Sequence, residues 1–147
     1  MRADGMGMKK LISAMIIGCL TLGISALAAV DWQDNYGAGL AKAKKEKKLV
    51  MVDLFAPWCL PCKQLEKDTF SNKDVAARLS NDFVTVKLDF EKTLNDAELS
   101  KQFATDMIPY IVFLDADGKK LSEFVGFLAP EDFLKELDKA SQKAAKK

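Results

Sequence analysis

Trp58-Cys59-Leu60-Pro61-Cys62-Lys63 is the stretch on which the reading of the fold turns. Two cysteines stand three positions apart, with a tryptophan before the first and a proline before the second. Upstream lies the apolar run Leu49-Val50-Met51-Val52-Asp53-Leu54-Phe55-Ala56, the pattern of a strand buried on both faces. Downstream, Lys63-Gln64-Leu65-Glu66-Lys67 reads as helix, and the spacing predicts a helix from about Cys59 to Phe70. A thiol at a strand-to-helix turn meets the positive end of the helix dipole, where a thiolate is favoured. Cys59 is therefore the candidate nucleophile, partly exposed and with a depressed pKa. Cys62, one turn deeper, is placed to close a disulfide with it.

The rest of the composition narrows the chemistry. The chain has 147 residues, 49% hydrophobic and 29% charged, with a net charge of +1. That is enough for one domain with a core, and it offers no basic surplus for nucleic acid. Histidine is absent, which removes His-based acid–base catalysis and His-containing metal sites. The cysteines are Cys19, Cys59 and Cys62. A bridge across so short a loop constrains the unfolded chain little, so the value of the pair is chemical rather than structural. Half of a zinc site is a rival reading, but zinc takes four ligands and no second cysteine pair exists. No metal and no cofactor are expected.

Asp53 is an acid inside an apolar strand. Burial raises a carboxyl pKa, which suits it to take and return the proton of Cys62. Glu66 follows Cys62 by four residues, on the same helix face, where a carboxylate tunes nearby thiols; a solvated surface glutamate is the plainer alternative.

Working outward, a surface helix is predicted over about Asn35–Glu46, a second over Lys73–Ser80, and a strand over Phe83–Asp89. A helix over Asp96–Phe103 follows, then strands over Tyr110–Leu114 and Lys120–Val125 joined by the turn Asp115-Ala116-Asp117-Gly118. Pro130 opens a last helix with Phe133, Leu134, Leu137 and Ala140 inward. Helices between the early strands imply parallel crossovers, and the Gly118 turn implies a hairpin. The expected fold class is α/β, a mixed sheet of about four to five strands with helices on both faces, in one domain over 29–147.

At the other end, Met8-Lys9-Lys10, the apolar run Leu11–Ala29 and the small residues at Ala26-Leu27-Ala28 have the layout of a signal peptide over 1–28, with 1–7 as an upstream extension. Two readings stand beside it: retention of the run as a membrane anchor, and lipidation at Cys19 within Ile16-Ile17-Gly18-Cys19. All three place the domain outside the cytoplasm: periplasmic, or anchored to the membrane and facing the periplasm.

With these residues in place, the chain resembles the thioredoxin superfamily over nearly all of 29–147. The match rests on Val52 to Lys63, Ile108-Pro109, Phe113 to Lys119 and Val125-Gly126. Cys62 to Ser71 and Gly126-Phe127 are similar to one branch of it, the periplasmic C-terminal domain of DsbD-type thiol:disulfide interchange proteins. The sequence departs from the thioredoxin pattern at Leu60, where glycine is usual, at Phe55, where tryptophan is, and at Tyr110, where threonine is common. The resemblance implies a Cys59–Cys62 redox disulfide, Asp53 as the buried acid rather than a solvent-facing one, Lys87 as its ion partner, with a plain surface lysine as the alternative for Lys87, and a cis Pro109 facing the sulfurs. It further implies that the Ile108 backbone receives an extended substrate segment and that Trp58 covers the cysteines, with core packing as the plainer role of Trp58.

Direction follows from Pro61. Oxidants and isomerases of the superfamily commonly carry histidine there; its absence makes the dithiol less oxidising. The expected activity is reduction of protein disulfides, with electrons from a membrane donor of DsbD or CcdA type. Clients would be oxidised periplasmic proteins or apocytochrome c cysteines. A disulfide oxidase or isomerase, and a non-catalytic interaction module, are the alternatives.

Overall fold

The computed structural model describes residues 29–146, so the leader readings and Cys19 lie outside the described residues. In chain order the elements are β1 (Trp32–Gln33), α1 (Tyr36–Glu46), β2 (Leu49–Phe55), α2 (Leu60–Gln64, continuing as a π-helical turn over Leu65–Phe70) and α3 (Lys73–Asp82). Then come β3 (Phe83–Asp89), α4 (Phe90–Asn95), α5 (Leu99–Gln102), β4 (Tyr110–Leu114), β5 (Lys120–Val125) and α6 (Pro130–Ala145).

The strands form one five-stranded sheet in the order β1-β3-β2-β4-β5. β2 is central, parallel to β3 and antiparallel to β4. The parallel β2–β3 step requires a crossover, which α2 and α3 supply. β4 and β5 form the predicted hairpin, turned by Gly118 at φ 82°.

Side-chain parity along β2 divides the interior in two. Val50, Val52 and Leu54 pack with Ala43 of α1, Phe103 and Val86 on one face. Met51 packs with Leu65, Leu79, Phe113, Phe133 and Leu137 on the other, beneath α2, α3 and α6. Asp53 shares the parity of Met51 and so points under α2. On the opposite face α1 lies so close to β3 that a Cβ at Gly39 would stand 2.4 Å from Val86 Cγ2.

Three features depart from the expectation. β1 is an additional strand; its two residues pair with Thr85 and Val86, and Thr85 Oγ1 donates to Asp31 O at 2.7 Å. A helix begins directly after β3, because Asp89 Oδ1 accepts from Lys92 N at 3.0 Å. The expected Asp96–Phe103 helix is the four-residue α5, and Asp96, which ends α4, accepts from Glu98 N and Leu99 N through Oδ1.

Candidate functional site

β2 delivers the chain to the cysteines. After Phe55 it leaves the sheet through Ala56 and Pro57, and Cys59 N donates to Ala56 O at 3.1 Å. Cys59 is the N-cap of α2, with extended backbone. Its Sγ accepts from Cys62 N at 3.2 Å, and its carbonyl accepts from Lys63 N at 3.2 Å. Pro61 sits in the first turn, where a missing N–H costs no helical bond. Cys59 and Cys62 are joined by a disulfide. The helix start thus directs a backbone N–H at the first sulfur, an arrangement that favours its anionic form once the bridge is open.

The expectation that Cys59 is partly exposed needs correcting. In the disulfide form Cys59 is 3% exposed and Cys62 7%. The cause is local packing: Ala56, Phe55 and Ile108 close over the pair. Ile108, expected only to offer its backbone to a substrate segment, is part of that cover, and Trp58, expected to cover the cysteines, is not. Trp58 stands outward at 62% exposure, which also removes the core-packing reading. Its indole Nε1 donates to Glu91 Oε1 at 3.2 Å.

The Ile108–Pro109 peptide is cis. Pro109 O accepts from Gly126 N at 2.8 Å, and Gly126 holds φ 94°, which an L side chain adopts only under strain. The loop that carries Ile108 is thereby fixed to the end of β5.

Asp53 is 3% exposed, and its Oδ1 has no hydrogen-bond partner among the described residues. Burial pushes its pKa up to about 7, opposed by the charge of Lys87 and assisted by that of Glu66. Lys87 is the register partner of Asp53 across β2 and β3, yet its ammonium pairs with Glu66 at 3.1 Å rather than with Asp53. That ammonium also lies 4.8 Å from the Phe55 ring centroid and 5.2 Å from that of Trp32. The reason is reach: a lysine stem extends past the buried carboxyl to the sheet margin, where Glu66 and two ring faces hold the charge with less loss of hydration. Asp53 therefore sees Lys87 through space rather than by direct contact.

The sequence reading missed Glu91, Phe55 as part of the cover, and Trp32 beside Lys87. Phe55 was identifiable from its position at the end of β2. Nothing local marks Glu91, which meets Trp58 across 33 residues of chain. Among the described residues, no group of three or more Cys, Asp or Glu side chains is placed to hold a metal ion. Nor is any helix there long and apolar enough to cross a membrane.

Residues 36–141 match the family model described as a thioredoxin-like domain. The chain belongs to the thioredoxin-like family. The thiol:disulfide interchange protein DsbD of Vibrio cholerae is 39% identical over 103 residues, which are 68% of this chain and 17% of that protein. The chain thus spans about a sixth of the length of such relatives. Among solved structures, a thioredoxin from Thermus thermophilus has a TM-score of 0.65 at 24% identity, covering 77% of this chain and 88% of that one. The oxidised C-terminal domain of Neisseria meningitidis DsbD has a TM-score of 0.59 at 20% identity, covering 71% and 90%. The mixed five-stranded sheet with its flanking helices is the thioredoxin fold.

Proposed function

We propose that this protein is a thiol:disulfide oxidoreductase that reduces protein disulfides outside the cytoplasm. One observation carries the reading: a Cys59–Cys62 disulfide at a helix start lies among the exposed apolar side chains of the molecule. Among the described residues the large ones are Trp58, Leu60, Leu94, Met107 and Val125. Trp58 and Leu60 flank Cys59. Met107 precedes Ile108, which packs on the cysteines. Val125 pairs with Tyr110, next to Pro109. Leu94 is on α4, the helix that Trp58 touches through Glu91. Apolar side chains gathered at one end mark a protein-docking surface.

The reaction balances as two exchanges. With the pair reduced, the Cys59 thiolate attacks one sulfur of a client disulfide and expels the other as a thiolate. The Cys62 thiol gives its proton to Asp53 and attacks Cys59 Sγ, releasing the second client sulfur as a thiolate, to which Asp53 can return the proton, and leaving Cys59–Cys62 oxidised. A carboxyl poised near neutrality is matched to that transfer. Because the sulfurs are covered in the oxidised form, re-reduction needs a donor that displaces Ile108 or enters beside it. Glu66 and Lys87 set the field that Asp53 feels, and the Ile108 backbone and Pro109 receive the client strand.

The name of the DsbD relatives, thiol:disulfide interchange protein, supports this reading. The periplasmic location, the 1–28 signal peptide and the membrane electron donor of DsbD or CcdA type belong to the proposal and rest on the sequence pattern of the leader and on the resemblance to DsbD-type proteins. Pro61 in place of histidine favours the reducing direction.

The test is insulin reduction by the parent and by a Cys59→Ser, Cys62→Ser double variant, with the reduction potential measured alongside. Activity in the parent alone, and a potential near that of thioredoxin at roughly −270 mV, is the expected result. A potential near roughly −120 mV would make the protein an oxidant. Failure of the parent to reduce insulin, with the double variant keeping its biological role, would make the fold an interaction module.

A further inference from the structure

Trp58 is outward-facing, yet its indole is tied down by the 3.2 Å bond to Glu91. Glu91 is the second residue of α4, and the start of α4 is itself fixed. Asp89 Oδ1 accepts from Lys92 N at 3.0 Å, and the buried Thr93 donates its hydroxyl to Asp89 O at 2.8 Å. The acceptor that meets the indole therefore sits on anchored backbone. Leu94, three residues on from Glu91, lies on the same side of the helix and is 47% exposed.

From this we infer that Glu91 is a positioning residue: it fixes the Trp58 indole in the orientation an incoming client segment meets, and it makes α4 one wall of the docking rim. The inference rests on the reading of the cysteine pair as a protein-disulfide reductase. An exposed tryptophan with no partner samples several rotamers, and a client that needs one of them binds more weakly by the fraction of time it is absent. A bond to a charged acceptor holds the productive rotamer before the client arrives. Glu91 bonds to the indole rather than to either sulfur, so its effect falls on docking and not on the exchange step.

The experiment is steady-state insulin reduction by the full chain, paired with NMR of the Trp58 indole N–H. Glu91→Ala raises KM roughly three- to tenfold, the range for one side chain that must be ordered on binding, and leaves kcat in place. Glu91→Gln keeps the parental KM, because its amide oxygen still accepts from the indole. Trp58→Phe raises KM by itself, and adding Glu91→Ala to it brings no further rise. The indole proton exchanges slowly in the parent and in Glu91→Gln, and fast in Glu91→Ala. Equal KM in the parent and Glu91→Ala overturns the inference, as does a further KM rise when Glu91→Ala is added to Trp58→Phe. Unchanged indole exchange in Glu91→Ala overturns it whatever the activity. Failure of the parent to reduce insulin at all counts instead against the proposed function.

Discussion

Replacing Asp53 by Asn should flatten the stability of this protein against pH. In the native state the carboxyl is buried and its pKa is pushed from 3.8 to about 7. In the unfolded chain it has the ordinary value. Between those two values the native state holds a proton that the unfolded state has lost, so stability falls as pH rises. Below about pH 4 both states are protonated, and above about pH 7 both are ionised; in neither range does Asp53 add a slope. A difference of about three units at about 1.4 kcal/mol each places the cumulative loss near 4 kcal/mol. The assay is urea unfolding of the disulfide form of the parent and of Asp53→Asn, at half-unit steps from pH 4 to pH 9. Subtracting the two curves cancels every other titrating group. The variant should gain on the parent by roughly 4 kcal/mol between pH 4 and pH 8, with the gain confined below about pH 7.5. An amide buried without partners adds a constant cost of about 1–3 kcal/mol, which shifts the difference curve without tilting it. Parallel curves would refute the raised carboxyl, and with it the proton acceptor assigned to Cys62.

Lys87→Gln removes the cation that opposes the Asp53 shift, so the Asp53 carboxyl should titrate at higher pH than in the parent; Glu66→Gln removes a like charge and should move it lower. The carbon-13 signal of the Asp53 carboxyl reads both. Asp53→Asn should slow insulin reduction at pH 7 by about a hundredfold, the lower end of what a positioned proton acceptor contributes, while Cys59 still forms a mixed disulfide. Gly39→Ala forces a Cβ to 2.4 Å from Val86 Cγ2; overpacking costs about 1–3 kcal/mol, partly offset by the better helix preference of alanine, and urea unfolding should show a net loss of roughly 1–2 kcal/mol. Asn72→Ala removes the side chain that accepts from Asp74 N and Val75 N at the start of α3, and thermal unfolding should register a loss of about 1 kcal/mol.

Much of this was legible in the sequence because local pattern and tertiary role agree. The strands over Phe83–Asp89, Tyr110–Leu114 and Lys120–Val125 have the bounds their alternation and turn residues predict. What stayed hidden depends on contacts far apart in the chain. Two residues such as Trp32 and Gln33 carry no period, and they are a strand only because β3 offers an open edge. The helix at Phe90 is set by Asp89, a residue that reads equally as the last of a strand. The π-helical turn after Gln64 has no signature in composition. At the site, spacing, apolar context and resemblance point to a Cys59–Cys62 bridge, a buried Asp53 and a cis Pro109, and the structure has the bridge, the burial and the cis bond. The partner of Lys87 was not legible, since strand register points to Asp53 while the length of the lysine stem carries its charge to Glu66. The burial of Cys59 is hidden in the same way: a helix start is open by default, and closing it takes Ile108, brought from 49 positions away, together with Phe55 and Ala56.

The central claim, that Cys59 captures a client disulfide and Cys62 releases it, is tested most directly by mass spectrometry of the reduced Cys62→Ser variant mixed with a disulfide-bonded peptide. A stable adduct of one peptide chain on Cys59, dissolved by dithiothreitol and absent from Cys59→Ser, is the predicted result. No adduct, or one that forms equally without Cys59, would contradict it.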